Sequence, residues 1–173
     1  MKKINIILLL FSMIIAGCNK QKCPGFPTDL NFFPYSKDQE LRFINSQNEI
    51  KNFIIEKKFS TSPYTLCNGL YGKCACEPPK SGFFTYQNQD SILIRCSLTF
   101  WGNKLEASCE FTNINFDSDF FSKIFFNVNE FSEIDTIMMK RNNSSICKKV
   151  VIVNEKGLVS YTTADGEEWK LVE

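Results

Sequence analysis

The segment between Ile94 and Phe111 constrains the fold more tightly than any other part of the sequence. Gly102 and Asn103 are typical of a two-residue hairpin loop, which fixes the residues that face each other in the flanking strands. In this register Cys96 lies opposite Cys109 on an apolar face. The other apolar pairs are Ile94 with Phe111, Leu98 with Ala107 and Phe100 with Leu105; the polar face pairs Arg95 with Glu110, Ser97 with Ser108 and Thr99 with Glu106. Because a shift by one residue would reverse every side chain, the sequence predicts this hairpin and a Cys96–Cys109 disulfide.

A second hairpin is predicted near the start of the domain. Leu41 and Phe43 alternate with polar residues before a turn, and Phe53 and Ile55 do so after it. The turn reads Ser-Gln-Asn-Glu, and its Asn48 is the residue expected at positive φ, since asparagine tolerates the left-handed region.

The C-terminal residues predict a three-stranded meander. Turns at 155–157 and 164–166 each end in glycine, which is typical of three-residue hairpin loops. In the expected register Val151 faces Tyr161, and Tyr161 faces Trp169 in an aromatic cross-strand pair. A second row of facing residues consists of Val153, Val159 and Leu171.

Together these patterns favour an all-β domain, a single antiparallel sandwich or barrel, because strands and turns alternate with little helical periodicity. Another strand is expected within 134–140. Residues 113–131 fit neither period, so we assign strands there, with one short helix starting near Asp117 or Ser118 as an option. Residues 60–82 are rich in glycine, proline and cysteine, which predicts a loop stapled by cysteines rather than held in a sheet.

The N-terminus has the organisation of an export signal. Met1-Lys2-Lys3 is a short basic start, and an apolar run of 11 residues, Ile6 to Ala16, follows. A membrane-spanning helix needs about 20 apolar residues, so we expect this segment to be removed. Ile15-Ala16-Gly17-Cys18 resembles a bacterial lipobox, in which the cysteine is acylated and becomes the new N-terminus. Cys18 is therefore the predicted lipid anchor, and an ordinary signal peptide ending by chance at a cysteine is the alternative.

The predicted organisation is a signal peptide at 1–17, a lipidated tether at 18–30 and a single antiparallel β domain at 31–173. Removing the first 17 of 173 residues leaves 156, which is typical of one domain. The four residues after Cys18, Asn-Lys-Gln-Lys, include no acidic side chain. In the lipoproteins that this region resembles, an acidic stretch there often marks surface display. We therefore expect a location in the cell envelope, on the periplasmic face of the outer membrane.

Composition argues against several classes of function. The chain has no histidine, which excludes serine–histidine–aspartate and cysteine–histidine catalysis and histidine-ligated metals. Without Lys2 and Lys3 it has 18 basic and 19 acidic residues, a net charge of −1, and no basic patch of the kind that nucleic acid requires. We therefore expect no enzyme, no catalytic residue, no cofactor, no metal and no nucleic-acid partner.

Eight cysteines are present, and seven remain if Cys18 is acylated. An exported chain meets oxidising conditions, so disulfides are the default expectation, and an odd number leaves at least one thiol free or paired between molecules. Spacing leaves the pairing open among the remaining candidates, which are Cys23, Cys67, Cys74, Cys76 and Cys147.

The Cys74-Ala75-Cys76 segment is expected to be structural, with one bond to Cys67 and another to Cys23 or Cys147. Two other uses are alternatives. Redox motifs usually separate their cysteines by two residues at a helix start, whereas one residue intervenes here and Pro78-Pro79 follows. A zinc site made of Cys67, Cys74, Cys76 and Cys147 lacks the two short ligand pairs typical of such sites.

Two parts of the chain resemble the opening and the close of small envelope lipoproteins of the Bacteroidota. The opening is Phe-Pro-Tyr-Ser-Lys-Asp at 33–38 with Leu-Arg-Phe-Ile-Asn-Ser at 41–46. The close is Glu-Lys-Gly-Leu-Val-Ser-Tyr at 155–161 with Asp-Gly-Glu-Glu-Trp-Lys-Leu at 165–171. Glycine is commoner in that family where this chain has Asn48. The resemblance implies an envelope location and a β fold, and it carries no activity.

The expected function is therefore that of a membrane-anchored lipoprotein with a non-catalytic binding or structural role in the envelope. Thiol–disulfide exchange by Cys74 and Cys76 is the alternative. The expected partners are the membrane, through the N-terminal lipid, and a protein or a small apolar ligand. A deep apolar cavity would favour the small ligand, and a filled core with an exposed apolar patch would favour the protein.

Overall fold

The computed structural model of the protein describes residues 23–27, 30–67, 74–86, 92–113, 115, 117–126 and 133–172, without the side chains of residues 66, 67 and 74. The predicted signal peptide and Cys18 lie outside the described residues. Among the residues described, no helix is long and apolar enough to cross a membrane.

The regular structure in these ranges consists of twelve strands. They are β1 Glu40–Ile44, β2 Ile50–Thr61, β3 Tyr64–Cys67, β4 Cys74–Glu77, β5 Lys80–Tyr86, β6 Leu93–Phe100, β7 Leu105–Thr112, β8 Ser118–Phe125, β9 Thr136–Lys140, β10 Cys147–Val153, β11 Gly157–Thr163 and β12 Glu168–Leu171.

Ten strands form one antiparallel sheet in the order β8-β7-β6-β5-β2-β1-β12-β11-β10-β9, and this sheet curls into a nearly closed barrel. β3 and β4 pair separately as a small hairpin. The all-β prediction is confirmed, and the architecture is the barrel of the two alternatives.

The two ends of the barrel, the base and the rim, carry different sets of turns. The base carries the β6–β7 turn at 101–104 and the β10–β11 turn at 154–156. The rim, at the opposite end, carries the turns at 45–49, 113–117 and 163–167 and the loop at 141–146.

The predicted N-terminal hairpin is confirmed, and the central hairpin is confirmed in register as well. In β6 and β7 every predicted pair is observed, including Cys96 with Cys109, whose Cα atoms are 4.1 Å apart. Leu41 of β1 faces Phe53 of β2, and Asn48 in the turn between these strands has φ 64°. Local turn residues and a single apolar face were sufficient to predict the register of β6 with β7.

The predicted register of β10 with β11 is wrong. Val153 faces Gly157 rather than Val159, a shift of two residues, because the turn lies at 154–156 instead of 155–157. Tyr161 faces Trp169 as expected, but it faces Val150 rather than Val151 on its other side. A bulge reduces the shift to one residue there, since the ladder goes from Ile152↔Leu158 to Val151↔Ser160 and leaves Val159 without an opposite residue in β10. The buried side chains of β10 are consequently Val150 and Ile152, in addition to Cys147 at the start of the strand.

Two further expectations are corrected. Asp117 and Ser118 do not begin a helix; β8 starts at Ser118 and pairs along its whole length with β7. Residues 60–82 are not simply a stapled loop, because β2 extends to Thr61, β5 begins at Lys80, and β3 and β4 form a ladder between them. β-Sheet pairing outweighed the glycine and proline content of this segment.

Aromatic side chains fill the barrel interior in the part of the chain that the structure describes. The Tyr161 ring lies 6.2 Å from Trp169 in a stacked arrangement, 5.2 Å from Phe43 and 5.4 Å from Phe111. These residues come from four different strands and are at most 2% exposed. The interior is therefore a packed core. Burial of each Phe side chain in it contributes about 1.5–3 kcal/mol to the free energy of unfolding.

Residues 30–39 cross the base and close it. Tyr35 packs edge-on against Phe83, with ring centres 4.9 Å apart, and Phe33 contacts the same ring at 5.2 Å. The Tyr35 hydroxyl oxygen accepts a hydrogen bond from the Leu158 N–H. Burial raises the pKa of Tyr35 well above its usual range, so this hydroxyl stays neutral at physiological pH.

Asp119 joins β8, at one end of the sheet, to the loop that follows β9 at the other end. Its buried carboxylate accepts hydrogen bonds from the N–H groups of Ile146 and Cys147, at 2.6 and 2.9 Å. Arg141 lies 3.7 Å from the other carboxylate oxygen and also donates to the Phe120 carbonyl oxygen at 3.4 Å. These contacts hold β8 against the loop between β9 and β10, where no β ladder does so in the described residues.

Candidate functional site

The rim is built from turns that share one hydrogen-bonding device. Asn45 is 6% exposed, and its Oδ1 accepts hydrogen bonds from the N–H groups of Gln47 and Glu49, at 3.0 and 2.8 Å. Its Nδ2 donates to Glu49 Oε2 at 2.8 Å and to Glu167 Oε1 at 2.6 Å. One amide therefore orders the β1–β2 turn and joins it to the β11–β12 turn.

Asn113 repeats the device in the β7–β8 turn. Its Oδ1 accepts from the N–H groups of Asn115 and Asp117, at 2.9 and 3.0 Å, and its Nδ2 donates to Asp117 Oδ2 at 3.2 Å. Both turns have asparagine followed four residues later by an acid. This spacing is visible in the sequence and could have identified both turns, but our sequence analysis missed it.

The β11–β12 turn uses a related arrangement. The Thr163 hydroxyl donates to Asp165 Oδ1, and the Glu167 N–H donates to the same oxygen at 3.3 Å. These hydrogen bonds, that from Thr163 first, lower the pKa of Asp165. The carboxylate is therefore charged at neutral pH.

Two clefts flank the β11–β12 turn at the rim. One has a volume of about 460 Å³ and is lined by Ile44, Asn45, Ser46, Gly166, Glu167, Glu168 and Lys170. The other has a volume of about 380 Å³ and is lined by Ile92, Asn113, Ser145, Ile146, Thr163, Ala164 and Asp165. Carboxylates, amides and hydroxyls on ordered turns suit recognition of a polar ligand by hydrogen bonds.

A third cleft of about 570 Å³ lies at the base. Val153, Val159 and Leu171 form its apolar part, and Asp135, Thr136 and Lys156 complete the lining. Within the described ranges, no group of three or more histidine, cysteine, aspartate or glutamate side chains is arranged to hold a metal ion.

The cysteines divide into linked and free residues. Cys96 is bonded to Cys109, as the hairpin register predicts, and Cys23 is bonded to Cys76 across a separation of 53 residues. Cys147 differs from its predicted place among the disulfide candidates, because it is a buried free thiol. The Cys147 thiol donates to the Lys149 carbonyl oxygen, and burial raises its pKa to about 12.

The zinc site and the thiol–disulfide exchange that we considered for the cysteines stand differently against the structure. The proposed zinc set loses Cys76, since that sulfur is bonded to Cys23. Cys74 lies opposite Cys67 in the β3–β4 ladder, and the side chains of these two residues are outside the described structure. Thiol–disulfide exchange by Cys74 and Cys76 stays a prediction.

No family model, no curated protein and no solved structure matches this chain. The resemblance to envelope lipoproteins of the Bacteroidota therefore stays a prediction.

Proposed function

We propose that this chain is a lipid-anchored exported protein with a non-catalytic binding or structural role in the cell envelope. The observation that carries the proposal is the Cys23–Cys76 disulfide. It lies five residues after Cys18, the last residue of the export signal pattern. Disulfides persist in oxidising compartments, which is where such a signal would deliver the chain.

In this proposal residues 1–17 are removed and Cys18 is acylated. Each buried methylene of an acyl chain contributes about 0.8 kcal/mol, so two or three chains attach a protein stably to a bilayer. The domain is held at the outer membrane and faces the periplasm, in keeping with the absence of acidic residues at 19–22.

The binding role is placed on the outer surface because packed aromatic rings occupy the described interior. The rim is the surface that we propose for a ligand or partner. Its clefts lie on turns ordered by Asn45 and Asn113, and preorganised polar groups lose little entropy on binding.

Substitution of Cys18 tests the anchor. The Cys18→Ala variant should remain uncleaved and should not incorporate a fatty-acid analogue, because the acylated sulfur is missing. Cys23→Ser is the matched control, since it removes a nearby cysteine but leaves the signal pattern intact. Mass spectrometry of the N-terminal peptide should find acyl groups in the parent and in Cys23→Ser. Labelling that persists in Cys18→Ala would contradict the proposal.

A further inference from the structure

We infer that the base of the barrel lies against the membrane, with the exposed aromatic side chains of Trp101, Phe126 and Tyr64 in the lipid headgroup layer. This inference rests on the proposed anchor at Cys18. It adds an orientation, an interaction surface and the residues that form it.

The chain between the lipid anchor and the domain is short. Cys23 is the fifth residue after Cys18, and five fully extended residues span about 17 Å. The eight-residue strands β6 and β7 are longer, at about 26 Å each. Whatever surface surrounds Cys23 is therefore held close to the bilayer.

Cys23 itself lies at the base of the barrel. Its sulfur is bonded to Cys76 of β4 and lies 3.2 Å from Thr65 Oγ1 of β3. Pro24 lies against the β6–β7 turn, since a Cβ placed on Gly102 would be 3.1 Å from Pro24 Cγ.

The surface around Cys23 at the base carries large exposed aromatic side chains. Trp101, in the β6–β7 turn, is 47% exposed, and Tyr64, adjacent to Thr65 in β3, is 54% exposed. Phe126 is 66% exposed and follows Phe125, which pairs with Leu105 directly after the turn. Large exposed aromatic side chains are costly in water and favourable at the membrane interface.

The side chains around Trp101 indicate which interaction would attract this surface to the membrane. Lys104 Nζ lies 5.5 Å above the indole ring, and the indole N–H donates to Glu106 Oε2 at 3.4 Å. Charges of both signs thus flank the ring, so apolar transfer rather than net charge attracts this surface to lipid. The aromatic contact supplies a second, weaker membrane interaction beside the acyl chains.

Fluorescence quenching by brominated lipid tests the orientation. The mature protein, acylated at Cys18, is placed in phosphatidylethanolamine–phosphatidylglycerol vesicles whose acyl chains carry bromine close to the headgroups. The chain has two tryptophans, Trp101 and the core residue Trp169, which is 1% exposed. The parent should lose most of its Trp101 emission, whereas Trp101→Phe, which emits from Trp169, should be unquenched.

The outcomes separate the orientation from the anchor. Mass spectrometry that finds no acyl group on Cys18 would refute the proposed function and the orientation with it. Acylated protein that is quenched equally in the parent and in Trp101→Phe would refute the orientation alone.

A second variant tests the disulfide. Replacing Cys23 and Cys76 together by Ser releases the chain from the base, so quenching of Trp101 should decrease. Quenching that stays at the parental level would overturn the role given to this disulfide in orienting the barrel.

Discussion

Gly157 and Tyr35 are in contact at the base of the barrel, which residues 30–39 close. Gly157 has φ 85°, and a Cβ at this position would collide with the Tyr35 hydroxyl and ring. Gly157→Ala should therefore lower the free energy of unfolding by about 2–5 kcal/mol, from backbone strain and overpacking together. Urea denaturation of the purified domain measures the change.

Gly166 is the matched control for this substitution. It has φ 100° in the β11–β12 turn, and nothing lies within 4 Å of an added Cβ. Gly166→Ala should lower the free energy of unfolding only through the strain of a left-handed backbone, by about 1–2 kcal/mol. Equal losses for the two variants would show that the Tyr35 contact does not stabilise the base.

The buried thiol of Cys147 predicts a loss of stability at alkaline pH. Its pKa is raised to about 12 in the folded protein, while an unfolded thiol ionises near pH 8.5. The stabilisation is therefore complete below about pH 8.5 and is lost as the pH rises towards 12, by about 1 kcal/mol per pH unit.

Comparison with Cys147→Ala isolates this effect. Tyr35 also has a raised pKa, but it is present in both proteins and its contribution cancels. Between about pH 9 and 11 the parent should lose more unfolding free energy than the variant does, measured by urea denaturation at each pH. Parallel pH profiles would mean that the thiol is solvated in the folded state.

Among the elements, the junction of β8 with the β9–β10 loop depends on Asp119. Asp119→Ala would leave the N–H groups of Ile146 and Cys147 buried without their acceptor, and we expect a loss of about 3 kcal/mol. Asp119→Asn keeps an acceptor oxygen and should cost about 1 kcal/mol. Thermal and urea unfolding measure both variants, and a larger loss for Asn than for Ala would contradict this role.

The accuracy of the sequence predictions follows from the range of the interactions involved. The β6–β7 hairpin was predictable because its turn and its alternating faces are local and agree with each other. The β10–β11 register was not, because Val150, Val151, Ile152 and Val153 are all apolar and give no sign of which two are buried. The bulge at Val159 is likewise invisible in an apolar run.

Contacts between distant segments were beyond the sequence patterns. Asp119 accepts from backbone N–H groups 27 and 28 residues away, and such donors leave no mark in the sequence. The hydrogen bonds at the rim were predictable from the sequence only in part. The Asn-to-acid spacing at 45–49 and 113–117 predicts the turns, whereas the bond from Asn45 to Glu167 depends on the pairing of β1 with β12, which are far apart in sequence.

For the whole molecule, the two observed disulfides should differ in their contribution to stability. Cys23–Cys76 closes a loop with a sequence separation of 53 residues, and Cys96–Cys109 closes one of 13. Loop-closure entropy predicts losses of about 4 and 3 kcal/mol when each pair is replaced by alanines.

Urea denaturation of the two double variants tests this order. Each variant leaves the other disulfide intact and so serves as its control. A greater loss for the Cys96 and Cys109 variant would show that packing of those buried sulfurs outweighs the entropy of the longer loop.

The closure of the base by residues 30–39 has a consequence for the export that we propose. Asn31 donates to Asn154, and Tyr35 accepts from Leu158, each across 123 residues, while β1 pairs with β12 at the end of the chain. A chain that emerges N-terminus first would present these segments long before their partners. The β6–β7 hairpin can form in mid-passage, but contacts of such high sequence separation form slowly and late. In the export that we propose, the protein therefore stays as two separate sheets with exposed edges, and only pairing of β12 with β1 joins them into the nearly closed barrel.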